Sequence, residues 1–467
     1  MANSVRDRLD HPVVDADAHW QEPIPVFLDY LADEGGPAMV DRFHAYYAKA
    51  DSAWYEATPE ERRAKRIKRR AWFSEPGRTL DRATSMLPGL MHERLPELGI
   101  DFAIVFPTLG IVSTRYADPE LRRHAARALN RMNWELLSPY ADRMTPAASI
   151  PTFTPEEAVD ELRYCVETLG YKAAAYGGTM VRQTAEGKSY VDTLGLDSLY
   201  DYDPLWQAAV DLRVMLCDHG GSFDWGDRQS PSNFVFNHVN HFAHALHAAC
   251  RGIVLGGVAR RFPTLPFAFL EGGAGFAAQL QLALIEHWEK RTPEVIDAYL
   301  RPTNIDTGKF AELYERYANG RLAGRADDVL ASFSTASPFR SPRELNDREV
   351  DDIDDFGASG LDSKDAIRSL FASQFFFGAE ADDKMTAMAF RPDMGLSLRP
   401  LFSSDIGHFD VLDMSEVLGE AWGLVERKLL NEEQFRQFTF ANVVDMHTRL
   451  NPSFFAGTAV ERAVAAL

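Results

Sequence analysis

Eight short apolar runs, each ending in polar or glycine residues, recur along this chain: 13–19 (VVDADAH), 101–108 (DFAIVFPT), 144–152 (MTPAASIPT), 171–178 (YKAAAYGG), 213–221 (RVMLCDHGG), 265–273 (LPFAFLEGG), 373–381 (SQFFFGAEA) and 398–408 (LRPLFSSDIGH). Segments of helical period separate most of them. The clearest are 118–137 and 154–170, and the second opens on Thr-Pro-Glu-Glu, a helix start. Strand, helix and strand in repetition, with a polar tip on each strand, is the pattern of a parallel sheet covered by helices. Eight such units predict an α/β fold, a (β/α)8 TIM barrel. That architecture places its chemistry at the C-terminal strand ends, where the polar tips fall.

Two gaps are longer than one helix requires. Residues 20–100 separate the first two runs, and 274–372 the sixth and seventh. The chain therefore reads as one barrel domain over 1–467, with a lid-like insertion at 20–100 after strand 1 and a helical insertion at 274–372 after strand 6. Long insertions of this kind form lids or oligomer contacts. The basic run 61–73 and the acidic run 344–357 read as solvated faces, the basic one with the option of placing an Arg in the cleft. Residues 430–455 read as helices that close the barrel.

Charge narrows the partners. A formal net charge of −20 disfavours nucleic acid and anionic membranes, both of which need a positive field. A small-molecule substrate remains, anionic ones included. No apolar stretch reaches membrane-spanning length, and the polar N-terminus lacks a signal core. Cys165, Cys217 and Cys250 have no CxxC spacing and read as reduced, buried thiols, which points to the cytoplasm.

The strand tips carry the chemistry. Alternate residues of a strand share a face, so Asp15, Asp17 and His19 are expected to point one way and Ala16 and Ala18 the other. His219 ends the fifth run, Glu271 the sixth and Asp405 the eighth, with His408 three residues later. Two imidazoles and two carboxylates from strands one, five and eight converge only if the barrel closes. Together they offer a mixed nitrogen and oxygen site for one divalent ion, Zn or Mn.

The segments 13–23 (VVDADAHWQEP), 98–108 (LGIDFAIVFPT), 218–222 (DHGGS), 257–276 (GVARRFPTLPFAFLEGGAGF) and 402–410 (FSSDIGHFD) resemble the amidohydrolase superfamily. The resemblance is to its amidohydrolase-related branch, which includes aminocarboxymuconate-semialdehyde, γ-resorcylate, 5-carboxyvanillate and iso-orotate decarboxylases and some C–C bond hydrolases. It implies Asp17, His19, His219 and Asp405 as metal ligands and Asp15 as a structural acid. It also implies Asp405 as the proton-transferring residue and a dimer as the usual assembly. Many members carry a histidine at the end of strand six. Glu271 stands there instead, as a general acid/base, a partner orienting His219, or a substrate selector.

Further candidates surround these. Trp20, Phe223, Trp225 and Arg228 are candidate substrate contacts, the aromatics by stacking and the Arg by binding a carboxylate. His238, His241, His244 and His247 resemble a metal ladder. Each three-residue step on a helix drifts by about 60°, however, so His238 and His247 end on opposite faces. His238 or His241 is the better candidate to face the substrate. Glu380, Asp382 and Asp383 read as loop-orienting or Arg-binding acids, and the glycine pairs are too sparse for a nucleotide-phosphate loop. The expected activity is a metal-dependent carbon–carbon lyase or hydrolase of decarboxylase type acting on an aromatic or ring-derived carboxylate. The alternatives are a metal-dependent hydrolase of an amide, ester or lactone, and a non-catalytic metal-stabilised binding protein.

Overall fold

The structure, a computed structural model, describes residues 5–71, 75–223, 225–333 and 353–467. Residues 72–73 of the basic run and 344–352 of the acidic run lie outside them. Ten strands follow in order: β1 (Val14–Trp20), β2 (Phe102–Pro107), β3 (Met144–Ile150), β4 (Ala173–Tyr176), β5 (Met180–Gln183), β6 (Ser189–Asp192), β7 (Met215–Asp218), β8 (Phe267–Phe269), β9 (Phe375–Glu380) and β10 (Pro400–Ser403). Eight of them form one sheet in the order β1-β2-β3-β4-β7-β8-β9-β10, and each neighbouring pair is parallel. These are the eight runs read from the sequence. β5 and β6 make a separate antiparallel hairpin.

The sheet curls into a nearly closed (β/α)8 barrel. The seam between β1 and the chain beyond β10 is joined by two backbone bonds, Asp405 N to Asp17 O at 3.0 Å and His19 N to Ile406 O at 2.7 Å. Both bonds fall at the strand tips, so closure and site assembly are one event.

Two apolar layers hold the barrel. Ile104, Ala147, Ala175, Cys217, Ala268, Phe376 and Leu401 pack inside it, and Phe440, Val443, Phe454 and Phe455 of the C-terminal segment join the same cluster. Outside, Ala103 and Val105 meet the surrounding helices through Leu121, Ala125 and Leu129. Each fully buried large side chain contributes about 1.5–3 kcal/mol. The helix expected at 118–137 spans Pro119–Leu137, with the Asp118 carboxylate accepting from Glu120 N and Leu121 N. The one expected at 154–170 starts on a Thr154 cap and Pro155, runs to Arg163 and finishes in a π-helical turn, Tyr164–Leu169.

In β1 the expected alternation fails. Asp15 pairs with Ala103 and Ala18 with Val105, so three residues of β1 advance against two of β2. The extra residue is a β-bulge, which reverses the phase of the strand. Val14 and Ala16 therefore belong to the inner cluster, whereas Ala18 and Trp20 belong to the outer one. Asp15 does not share a face with Asp17 and His19. Its carboxylate instead accepts from Asp17 N at 3.1 Å, from Ser404 N at 3.0 Å and from the Ser404 hydroxyl. Burial pushes its carboxyl up to about 7, against the pull of those hydrogen bonds.

Among the described residues, five helices lie between β1 and β2: Ile24–Gly35, Pro37–Glu56, Pro59–Lys65, Thr79–Met86 and Pro88–Arg94. The chain divides into two compact units, Met1–Leu280 with Arg368–Leu467, and Gln281–Ile367. The second unit is helical where described, and Phe310 of its helix Thr307–Tyr317 meets Phe333 edge-on, with ring centroids 5.0 Å apart. Among the described residues no helix is long and apolar enough to cross a membrane. All three cysteines are buried free thiols.

Candidate metal centre

The polar strand tips meet at the C-terminal mouth of the barrel. His19 Nε2 and His219 Nε2 stand 3.1 Å apart, and Asp17 Oδ1 lies 3.1 Å from the second and 3.2 Å from the first. Glu271 Oε1 is 4.0 Å from His19 Nε2, and Asp405 Oδ1 is 3.7 Å from it. His219 is fixed at its backbone by a 2.9 Å bond from its N–H to Tyr176 O of the neighbouring strand β4. Glu271 and Asp405 both adopt left-handed backbone angles, φ +60° and +55°. Such angles cost a non-glycine residue roughly 1–3 kcal/mol and cluster at functional sites. Here they turn each carboxylate inward at the end of its strand.

His408 completes the group. Its ring stacks on that of His19, with centroids 3.9 Å apart, and its Nδ1 lies 2.6 Å from Asp405 Oδ1 and 3.6 Å from Glu271 Oε1. Its Nε2 is 3.1 Å from the Thr108 hydroxyl. Gly407 makes this approach possible. At φ +111°, a Cβ there would come within 2.2 Å of His19 O.

Three carboxylates and three imidazoles thus share one buried volume, and their protonation is interlocked. Burial, then the His408 charge, holds His19 down to about 4. Burial opposes charge on His219 too, yet the Asp17 and Glu271 carboxylates outweigh it and raise that imidazole. For Asp17 and Glu271 burial is the largest influence and acts upward, but the facing histidines prevail and both are lowered. Asp405 goes the other way: burial and the Glu271 charge lift it well above the carboxylate range against the pull of His408. His408 is raised well above the usual imidazole range, since Asp405 and Glu271 overcome its burial.

The residues present fit a divalent cation. Asp17 Oδ2 and Glu271 Oε2 are buried without a hydrogen-bond partner, a costly state for carboxylate oxygens. Donors about 2.1 Å from one ion stand roughly 3–3.5 Å from each other, close to the separations seen among Asp17, His19 and His219. The grouping differs from the expected one. Ligand atoms of Asp17, His19, His219 and Glu271 all lie within 4.8 Å of one another, and those of His19, Glu271, Asp405 and His408 form a second such set. Glu271 belongs to both.

The expected substrate contacts divide. Phe223, His238 and His241 line a cavity of about 460 Å³ above the cluster, together with Thr108, Phe242 and Phe409. Phe223 and His241 are 4.6 Å apart between centroids, and His238 and His241 4.7 Å. Burial and the His238 charge hold His241 down to about 3, so its imidazole is neutral. Trp20 is a correction: next to the inward His19 in the strand, it faces outward, into the core with Phe27, Leu31 and Leu95. Trp225 and Arg228 line a second chamber beside the site. Arg228 spends its Nη1 on Asn237 O and Val239 O.

The histidine ladder is broken. Helix Phe234–His238 ends before Val239, and Asn240, at φ +55°, starts helix His241–Leu255 on a new axis. Glu380, Asp382 and Asp383 have no Arg partner among the described residues; Asp383 caps the short helix after it by accepting from Met385 N. His408 was visible three residues after Asp405 but carried no assigned role, because that spacing gains meaning only through the turn at Gly407.

Residues 78–299 match the family described as Amidohydrolase. That span holds His219 and Glu271. Solved structures of similar fold include an amidohydrolase from Mycobacterium avium subsp. paratuberculosis K-10, 15% identical, covering 94% of this chain and 100% of that chain, with a TM-score of 0.54. A dihydroxybenzoic acid decarboxylase from Polaromonas sp. JS666, with bound manganese and the inhibitor 2-nitroresorcinol, is 13% identical, covers 96% and 99%, and has a TM-score of 0.52. A manganese-bound 5-carboxyvanillate decarboxylase from Novosphingobium aromaticivorans DSM 12444 is 14% identical, covers 94% and 97%, and has a TM-score of 0.50. Over 78–299 the chain is thus similar to the amidohydrolase family, and the eight-stranded parallel barrel agrees with that match.

Proposed function

We propose that this protein is a metal-dependent carbon–carbon lyase of decarboxylase type, acting on an aromatic or ring-derived carboxylate. The observation that carries the reading is the buried cluster of Asp17, His19, His219, Glu271, Asp405 and His408 beneath a cavity walled by Phe223, Phe242, Phe409, His238 and His241. Asp17, His19, His219 and Glu271 would hold one divalent ion, with Asp405 beside them. Manganese or zinc suits their nitrogen and oxygen donors, and two decarboxylases of similar fold are manganese-bound. When bound, the ion supplies positive charge that holds a substrate carboxylate and stabilises negative charge developing on the ring.

The protein's own groups do the rest. Phe223, Phe242 and Phe409 offer apolar and stacking surface to a ring. The neutral His241 presents a polar edge without adding charge. Asp405 and its neighbour His408 both line the cavity. It is placed to give a proton to the ring carbon; the bond to the carboxylate then breaks, CO₂ leaves, and solvent reprotonates Asp405. Residues 20–100 we take as the lid, since Lys68 Nζ donates to Phe223 O at 2.9 Å and Arg69 N to Ser230 O at 2.9 Å, fastening that insertion to the loop after β7.

The test is metal analysis by plasma mass spectrometry, followed by a screen of aromatic carboxylates for CO₂ release. About one manganese or zinc per chain, with turnover on a member of the screen, is the expected result. A metal-loaded protein that hydrolyses amides, esters or lactones but releases no CO₂ would replace this reading. A protein that neither retains nor takes up metal would remove its foundation.

A further inference from the structure

The cavity over the metal cluster is not a closed cup. A larger chamber of about 1130 Å³ lies next to it, and Asn240, Ala243, Glu271, Gly272 and Glu380 line both. A pocket of a few hundred Å³ already holds a substrate of drug-like size. A single-ring carboxylate would occupy the first compartment and leave the second to solvent. The shared residues set the second compartment directly beside the site.

The chamber is electrically polarised. Part of its lining is Glu380 at the end of β9 with Asp382 and Asp383 just after it. Burial, then the charges of Glu271, Asp410, Asp382 and Asp383, push Glu380 up to about 7. Another part of the lining is a face of helix His241–Leu255, where His244, His247 and Arg251 recur at intervals of three and four residues and so fall on one side. His247 is lowered by burial and then by Arg251 and His244, with no acid among its main influences. The two parts do not neutralise each other. His244 has a partner in Asp227 at 3.5 Å, but Arg251 makes no hydrogen bond or ion pair among the described residues. A guanidinium on the wall of a cavity, with all its donors free, is a ready bidentate partner for a carboxylate.

We propose that Arg251 binds a second carboxylate at the distal end of the substrate, which lies across both compartments. The substrate class is then a ring carboxylate extended by a further ring or similar spacer and ending in another carboxylate. The reacting carboxylate sits at the metal cluster, and the distal one sits against the helix face of Arg251 and His247. This inference rests on the proposed function, because it takes the metal cluster as the place where the first carboxylate reacts.

The test uses the manganese-loaded full chain and two probes, biphenyl-4-carboxylate and biphenyl-4,4′-dicarboxylate, titrated by calorimetry. The diacid is expected to bind about ten-fold tighter or more, the size of one charge-assisted contact. Arg251→Gln should bring the diacid back to the affinity of the monoacid and leave the monoacid unchanged. That unchanged affinity also certifies the fold of the variant. Equal affinities in the wild type, or a preference that survives Arg251→Gln, would overturn the distal subsite and leave the metal-cluster reading intact. Failure of both acids to bind would instead refute the aromatic-carboxylate reading, and the subsite with it.

Discussion

His408 Nδ1 stands 2.6 Å from Asp405 Oδ1, at the point where the eighth barrel strand turns back over the first. The pair gives Asp405 a proton-exchanging neighbour that is itself fixed, since the His408 ring is stacked on His19 and its far nitrogen meets the Thr108 hydroxyl. If Asp405 moves the proton, His408 sets how well it does so. His408→Gln should lower kcat by about 10²–10⁴, the usual contribution of a positioned acid–base group, with the metal content of the wild type retained. Steady-state CO₂ release alongside plasma mass spectrometry checks this. Unchanged kcat in a metal-replete variant would take His408 out of the mechanism.

The two overlapping donor sets make opposite forecasts for Glu271 and Asp405. Asp17, His19, His219 and Glu271 gather within 4.8 Å, and Asp405 belongs to the set around His408. Glu271→Gln should therefore weaken metal retention more than Asp405→Asn, by roughly 10–100-fold in affinity, the range seen even for partners of ligands. Asp405→Asn should keep most of the ion and lose turnover. Asp17→Ala and His219→Ala should lose the ion outright. Dialysis against graded chelator, read by metal content, ranks the four variants. Tighter retention in Glu271→Gln than in Asp405→Asn would restore the ligand set that the family resemblance implies.

The barrel was legible because every strand announces itself twice, by an apolar run and by the polar tip that ends it. Neither signal depends on distant residues. The phase of β1 was not legible. The bulge at Ala16–Asp17 depends on Asp15 reaching Ser404, 389 positions away along the chain, and strict alternation is the only rule a lone strand offers. Trp20 is a different case: as the neighbour of His19 it faces the other way under plain alternation, and its outward place with Ala18 follows from that. His19, His219, Glu271 and Asp405 were found from their strand ends. His408 sits past a strand end, on a turn that only Gly407 permits, so no periodicity marks it.

Asp15 should matter for stability more than its distance from the chemistry suggests. It holds the bulge through Asp17 N and the barrel seam through both polar groups of Ser404. Asp15→Ala leaves two buried amide N–H groups and a hydroxyl unsatisfied, at about 1–3 kcal/mol for each group left without a partner. A loss of at least about 2 kcal/mol in urea unfolding is expected, together with weaker metal retention as Asp17 shifts. Wild-type stability with normal metal content would show that the bulge holds without it.

A last prediction concerns acid lability and lies far from the metal cluster. His447 is 2% exposed, stacks on Phe454 with centroids 4.0 Å apart, and has no hydrogen-bond partner on either ring nitrogen. Burial alone holds it down to about 3, against an ordinary 6.5. Between those two values the unfolded chain takes up a proton that the folded chain refuses. The stability owed to the neutral ring is thus complete above about pH 6.5. It is lost as pH falls toward 3, by up to about 1.4 kcal/mol per unit. At pH 5 this one residue should cost roughly 2 kcal/mol relative to pH 7.5. His447→Phe keeps an aromatic ring against Phe454 and removes the titration, so urea unfolding at the two pH values should show that much less acid loss than in the wild type. Equal acid losses in the two proteins would mean that His447 gains a proton without unfolding the bottom of the barrel.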